Sequence, residues 1–125
     1  MENNIGLTKG AGWQFGIRKT MPANLETLWN IFFSDRGLSY WFEGVDKDFS
    51  TFNKYSHIRT KWRHKDFTEA ANLQIRFILS KNKDKTTISF HVDKLKNEGQ
   101  REVTREYWSK VIEDLKLLLE SQSQS

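Results

Sequence analysis

A chain of 125 residues, 37% of them apolar, suffices for one packed domain and not for two. It contains no cysteine, which excludes disulfides, thiolate metal sites and thiol nucleophiles. Its net charge of +4, from 20 basic and 16 acidic residues, permits a polyanionic partner without demanding one. Five Trp, nine Phe and three Tyr carry much of the apolar surface, so the core is expected to be aromatic rather than aliphatic. Met1 to Gly12 lacks the apolar centre of a signal peptide, and no apolar run approaches the roughly 20 residues that span a bilayer. These features predict a soluble cytoplasmic protein without membrane insertion.

Residues 1–11 read as a flexible N-terminal leader, with Gly6 and Gly10 and no sustained periodicity. From Trp13 the pattern alternates, with Trp13, Phe15 and Ile17 on one side, which predicts a half-buried strand ending near Met21-Pro22. Asn24 then caps a helix carrying Leu25, Leu28, Trp29 and Phe32, and Ser34 caps a second carrying Leu38 and Trp41. Gly37 inside the second helix predicts that it is weak or kinked. Residues 43–56 read as loop, with Val45, Phe49, Phe52 and Tyr55 as short-strand or lid residues. Three clearer strands follow. Ile58, Thr60, Trp62 and His64 share one face, opposite Arg59, Lys61, Arg63 and Lys65; Leu73, Ile75, Phe77 and Leu79 share another; Ile88, Phe90 and Val92 a third. The turn at residues 82–85 makes the last two strands an antiparallel hairpin.

The longest periodic stretch runs from Glu98 to Glu120. Val103, Tyr107, Val111, Leu115 and Leu118 recur at three- and four-residue steps, and Trp108, Ile112 and Leu119 widen the stripe. At 1.5 Å per residue this helix would span on the order of 35 Å, and only the sheet offers it enough apolar surface. The expected architecture is therefore α+β. A curved antiparallel sheet wraps around a long C-terminal helix, with two short helices after the first strand. One domain covers residues 12–120, and 121–125 form a polar tail.

Three stretches carry a resemblance to a known family: Arg18 to Ala23 with Glu26, Leu28 and Trp29; Ser34 to Trp41 (SDRGLSYW); and Thr86 to Leu95 followed by Tyr107-Trp108. Ser56 to Trp62 adds a fourth. Together they resemble the START-like superfamily, also called SRPBCC or Bet v 1-like, and within it the branch named for activators of the heat-shock protein 90 ATPase. The resemblance implies a helix-grip fold with a hydrophobic cavity between sheet and terminal helix that binds lipids or other small apolar molecules. Typical members carry two clear strands between the second helix and the strand holding Trp62. Residues 43–56 offer weak strand signals, so fewer strands, or one very short one, are expected.

The inward aromatics are candidates to line such a cavity: Trp29, Phe32, Trp41, Trp62, Phe77, Tyr107 and Trp108, together with Val111. His64 and Tyr107 would be its polar anchors. The plainer alternative is that these side chains simply fill the core. His57 and His64 lie seven apart on a strand, hence on opposite faces, which excludes a shared metal site. No Ser–His–Asp order, paired inward carboxylates or phosphate-cradling Gly motif is visible, so the chain reads as non-enzymatic and without a cofactor. The basic row Arg59, Lys61, Arg63 and Lys65, extended by Arg76, is a candidate contact for an acidic protein or, failing that, a solubilising face. Without stacking aromatics beside it, nucleic acid is disfavoured. Two functions follow: binding of a small hydrophobic ligand, or an accessory module on a protein partner such as a chaperone.

Overall fold

Side-chain alternation along the strands and helical spacing at the C-terminus decide the layers. The computed structural model describes residues 7–8 and 12–123. Six antiparallel strands form one sheet: β1 (Leu7–Thr8), β2 (Gly12–Met21), β3 (Thr51–Asn53), β4 (His57–Trp62), β5 (Ala71–Leu79) and β6 (Thr86–Leu95). Their spatial order is β1-β2-β6-β5-β4-β3. Two short helices, α1 (Leu25–Phe32) and α2 (Asp35–Trp41), follow β2, and the long α3 (Glu98–Ser123) closes the chain. This is the expected α+β helix-grip arrangement. β1 is a two-residue pairing inside the supposed leader, whose other residues lie outside the description. α3 continues through Ser123, so the start of the supposed polar tail is helical.

The caps behave as their chemistry requires. Asn24 Oδ1 accepts the Thr27 N–H at 2.8 Å, and Ser34 Oγ accepts that of Gly37 at 3.1 Å. Gly37 lies inside α2 and lets it press against the end of α1. A Cβ there would lie 2.0 Å from the Ile31 carbonyl oxygen and 2.8 Å from that of Phe32. At the start of α3, Asn97 Oδ1 accepts the Gln100 N–H at 2.8 Å, while Gln100 Oε1 accepts that of Lys96 at 2.9 Å.

The inner face of the sheet buries Phe15, Ile58, Trp62, Leu73, Ile75, Phe77, Ile88, Phe90 and Val92. α3 meets it with Thr104, Trp108, Val111, Ile112, Leu115, Leu118 and Leu119, all buried; Val103 and Tyr107 flank that stripe half-buried. Arg101 Nε donates to the Gln14 carbonyl at 2.9 Å, and Lys19 pairs with Glu113, tying α3 to β2. One expected inward residue is not inward. Leu79, at the tip of the β5–β6 hairpin, is 72% exposed. The weak region 43–56 supplies the single very short strand β3, plus one bridge between Val45 and Trp62.

Candidate functional site

The inward aromatics form one continuous train of rings between sheet and helices. At one end, α1 and α2 bring Phe32 and Trp41 into a stack with centroids 4.2 Å apart and planes 13° apart. Trp29 packs on Phe77 at 4.9 Å, and Phe77 meets Phe32 at 5.3 Å. The Trp41 indole N–H donates to the Phe32 carbonyl at 2.8 Å, so even the polar atom of this cluster is paired. Phe32 and Trp41 are wholly buried, and Trp29 and Phe77 nearly so.

Phe90 then carries the train across the sheet, 6.3 Å from Phe32 and stacked on Trp108 at 4.9 Å. Trp108 touches Trp62 at 5.4 Å and Tyr107 at 5.1 Å, and His64 lies 5.7 Å from Tyr107 and 5.1 Å from Phe67. Here the packing stops. Trp62, His64 and Tyr107, with Glu43, Gly44, Arg63 and Lys65, line an open pocket of about 380 Å³. Gly44 builds the far wall. Its φ of +77° suits glycine, and a Cβ there would lie 2.4 Å from the Arg63 carbonyl oxygen.

Of the nine side chains expected to line a cavity, Trp62, His64 and Tyr107 border this pocket. Trp108 touches two of them, and buried Val111 lies one helical turn further along α3. Trp29, Phe32, Trp41 and Phe77 are packed against one another at the other end.

The polar groups at the mouth have distinct states. His64 Nδ1 accepts the Asp66 N–H at 3.1 Å, which places the ring proton on Nε2. The same Nδ1 lies 3.7 Å from the Asp66 carboxylate, a contact that is a charge pair only with the ring protonated. Burial pushes the Tyr107 phenol above its ordinary pKa of 10.0, and the charge of Glu43 adds to the rise, so the hydroxyl remains a donor at neutral pH. Its contact with the Glu43 carbonyl is long, 3.5 Å, and although the Trp62 side chain bonds the same hydroxyl and opposes the rise, the phenol proton can still turn to a better acceptor. Arg63 Nη1 donates to the Phe67 carbonyl at 2.7 Å, holding the guanidinium at the pocket edge. Behind them, the Trp108 indole N–H is buried with no protein acceptor, a state that costs about 1–3 kcal/mol.

The expected basic row divides. Arg59 and Lys61 lie on the outer face of β4, both exposed, whereas Arg63 and Lys65 follow the end of that strand and border the pocket. The pocket's remaining wall, Glu43 and Gly44, falls in the stretch that carried no readable motif.

The model of the family described as "Activator of Hsp90 ATPase homolog 1-like protein" matches residues 13–120. No curated relative matches the sequence. Among solved structures, DynU16, a protein of the dynemicin biosynthetic locus, is similar at a TM-score of 0.72 and 12% identity, over 87% of this chain and 48% of that one. This chain thus spans about half the length of DynU16. ChR145 from Cytophaga hutchinsonii aligns at a TM-score of 0.70 and 14% identity, covering 92% of this chain and 99% of its own. PFC0360w, an HSP90 activator from Plasmodium falciparum, aligns at 0.70 and 18%, over 86% and 96%. At these identities the structures speak for the fold alone.

Proposed function

The chain belongs to the Activator of Hsp90 ATPase homolog 1-like family, and from that premise we propose that it binds a small hydrophobic or lipid-like ligand at the mouth lined by Trp62, His64 and Tyr107. The family supports a ligand-binding or accessory domain. The observation that carries the ligand reading is where the aromatic packing ends: the train of rings stops at this mouth and leaves about 380 Å³, in the size range of small-molecule sites. The rings of Trp62 and Tyr107 offer apolar contact, and His64 Nε2–H and the Tyr107 hydroxyl offer donors. Arg63 and Lys65 outnumber Glu43 at the rim, so the ligand that fits has an apolar body and a polar or anionic end. The reading is one of binding without catalysis.

Native mass spectrometry of gently purified protein, followed by titration with fatty acids and aromatic carboxylic acids, tests it. Binding that weakens about tenfold (about 1.4 kcal/mol) in H64A/Y107A supports the reading. No binding across the library, or binding indifferent to that substitution, overturns it.

A second reading, an accessory module on a protein partner, is favoured by the exposed cations Arg59 and Lys61, which pair with no acid among the described residues. PFC0360w is an HSP90 activator, and a chaperone is the corresponding partner class here. Co-purification of such a partner, lost in R59E/K61E, is the expected result.

A further inference from the structure

The sheet face turned away from α3 gathers cations that the linear sequence keeps apart. Strand pairing sets Arg76 opposite Ser89, and Ser89 opposite Arg18, with His57 on the other side of Arg76. In the next row Arg59 faces Gln74, which faces His91, and Lys61 faces Asn72 in the row after. With neighbouring strands about 4.8 Å apart and same-face residues about 7 Å apart, Arg18, Arg76, Arg59 and Lys61 form a diagonal on the order of 15–20 Å long.

All four are exposed, and none makes an ion pair among the described residues. Arg76 is oriented without being neutralised: Gln74 Oε1, with the amide turned to satisfy both groups, accepts its Nε at 2.6 Å and Nη2 at 2.8 Å. The acid on these rows, Asp93, accepts the Asn72 amide at 2.9 Å. The surface between the cations is recessed. A hollow of about 450 Å³ bordered by Arg59 and Asp93 adjoins one of about 260 Å³ bordered by Arg76 and Ser89, and both share Gln74 and His91.

We propose that this face docks an acidic polypeptide segment of a partner protein, with Arg59 and Arg76 as its central cations and Arg18 and Lys61 at its ends. The proposal rests on the accessory reading and gives its partner a chemistry. Four like charges outnumber the one acid on these rows, Asp93, and repel one another, and carboxylates laid along the diagonal relieve that repulsion. The diagonal matches about five residues of extended chain. A polypeptide fits better than nucleic acid because the outward positions of β2, β4, β5 and β6 hold no Phe, Tyr or Trp on which bases could stack.

The test is fluorescence anisotropy of a labelled peptide alternating Asp and Ser with the full chain at low salt, beside single-stranded DNA of equal charge. R59E/R76E is compared with R36E/K47E, which changes net charge equally at exposed residues elsewhere. R59Q/R76Q repeats the measurement should the reversal impair folding, and circular dichroism checks each variant. The expected result is peptide binding that falls at least about tenfold in R59E/R76E and no more than about twofold in the control. Equal losses in both, no peptide binding, or DNA binding that is tighter and lost in R59E/R76E would each overturn the proposal. Partner capture lost in R59E/R76E without peptide affinity would also overturn it, yet leave the accessory reading standing.

Discussion

The two ends of the aromatic interior are built from the same residue types and do different things. At the end covered by α1 and α2, Phe32, Trp41, Trp29 and Phe77 surround one another, and the Trp41 N–H has its acceptor. At the other end, Trp62, Tyr107 and His64 have rings on one side and an open pocket on the other, and the Trp108 N–H behind them has no acceptor. Bulky rings close space where helices cover them on the remaining side. Where β4 ends at Trp62 and loop residues Glu43, Gly44 and Arg63 to Lys65 surround Tyr107, the same rings line space instead.

Substitutions separate the two ends by what they damage. Phe32→Ala removes a wholly buried ring and should cost about 3–5 kcal/mol in chemical denaturation, with ligand affinity of the folded protein retained. Gly37→Ala places a methyl against the Ile31 carbonyl and should cost about 3 kcal/mol by the same measurement, again sparing the mouth. At the mouth the balance reverses. Tyr107→Phe should change stability by less than about 1 kcal/mol, because the hydroxyl's contact is long, while weakening ligands that carry an acceptor. An equal loss of stability at both ends would erase the distinction.

The smallest effect lies away from both ends, at the Lys19–Glu113 tie between β2 and α3. The hydrogen bond from Lys19 holds the Glu113 carboxyl below its ordinary value of 4.5. A depressed carboxyl contributes stability that is present above that value and lost as pH falls through the lower, folded one. Glu113→Gln should therefore be slightly less stable than the parent at neutral pH and converge with it in acid, as thermal melts across pH would record. The pair is exposed, so the difference will be slight.

The closed end was more legible in the sequence than the open one. Helical spacing at Leu28, Trp29 and Phe32, caps at Asn24 and Ser34, and strict alternation on β5 and β6 are local signals, and they specified the elements that meet there. The close approach of two helices at Gly37 is a contact that no local pattern encodes. The period of two through His57–Lys65 was carried past Trp62, where the strand ends; Arg63 and Lys65 were thereby grouped with Arg59 and Lys61. Alternation with Phe15 and Ile17 makes Arg18 legible as outward, but its place in one row with Arg76 is not, because strand order is a long-range property: β2 and β5 share β6 as neighbour, although some fifty residues separate them in the chain. The wall at Glu43-Gly44 depends on a backbone conformation and a bridge from Val45 to Trp62 that composition alone does not announce.

The central claim is that one end of the interior receives ligand and the other does not, and the tryptophan indoles report on both. A ¹⁵N-indole NMR titration with a medium-chain fatty acid follows Trp62 and Trp108 at the mouth beside Trp29 and Trp41 at the closed end. The account predicts saturable shifts at Trp62 and Trp108 with Trp29 and Trp41 unmoved. No shift at Trp62 and Trp108 with any ligand of the library, or shifts of equal size at Trp41, would contradict it.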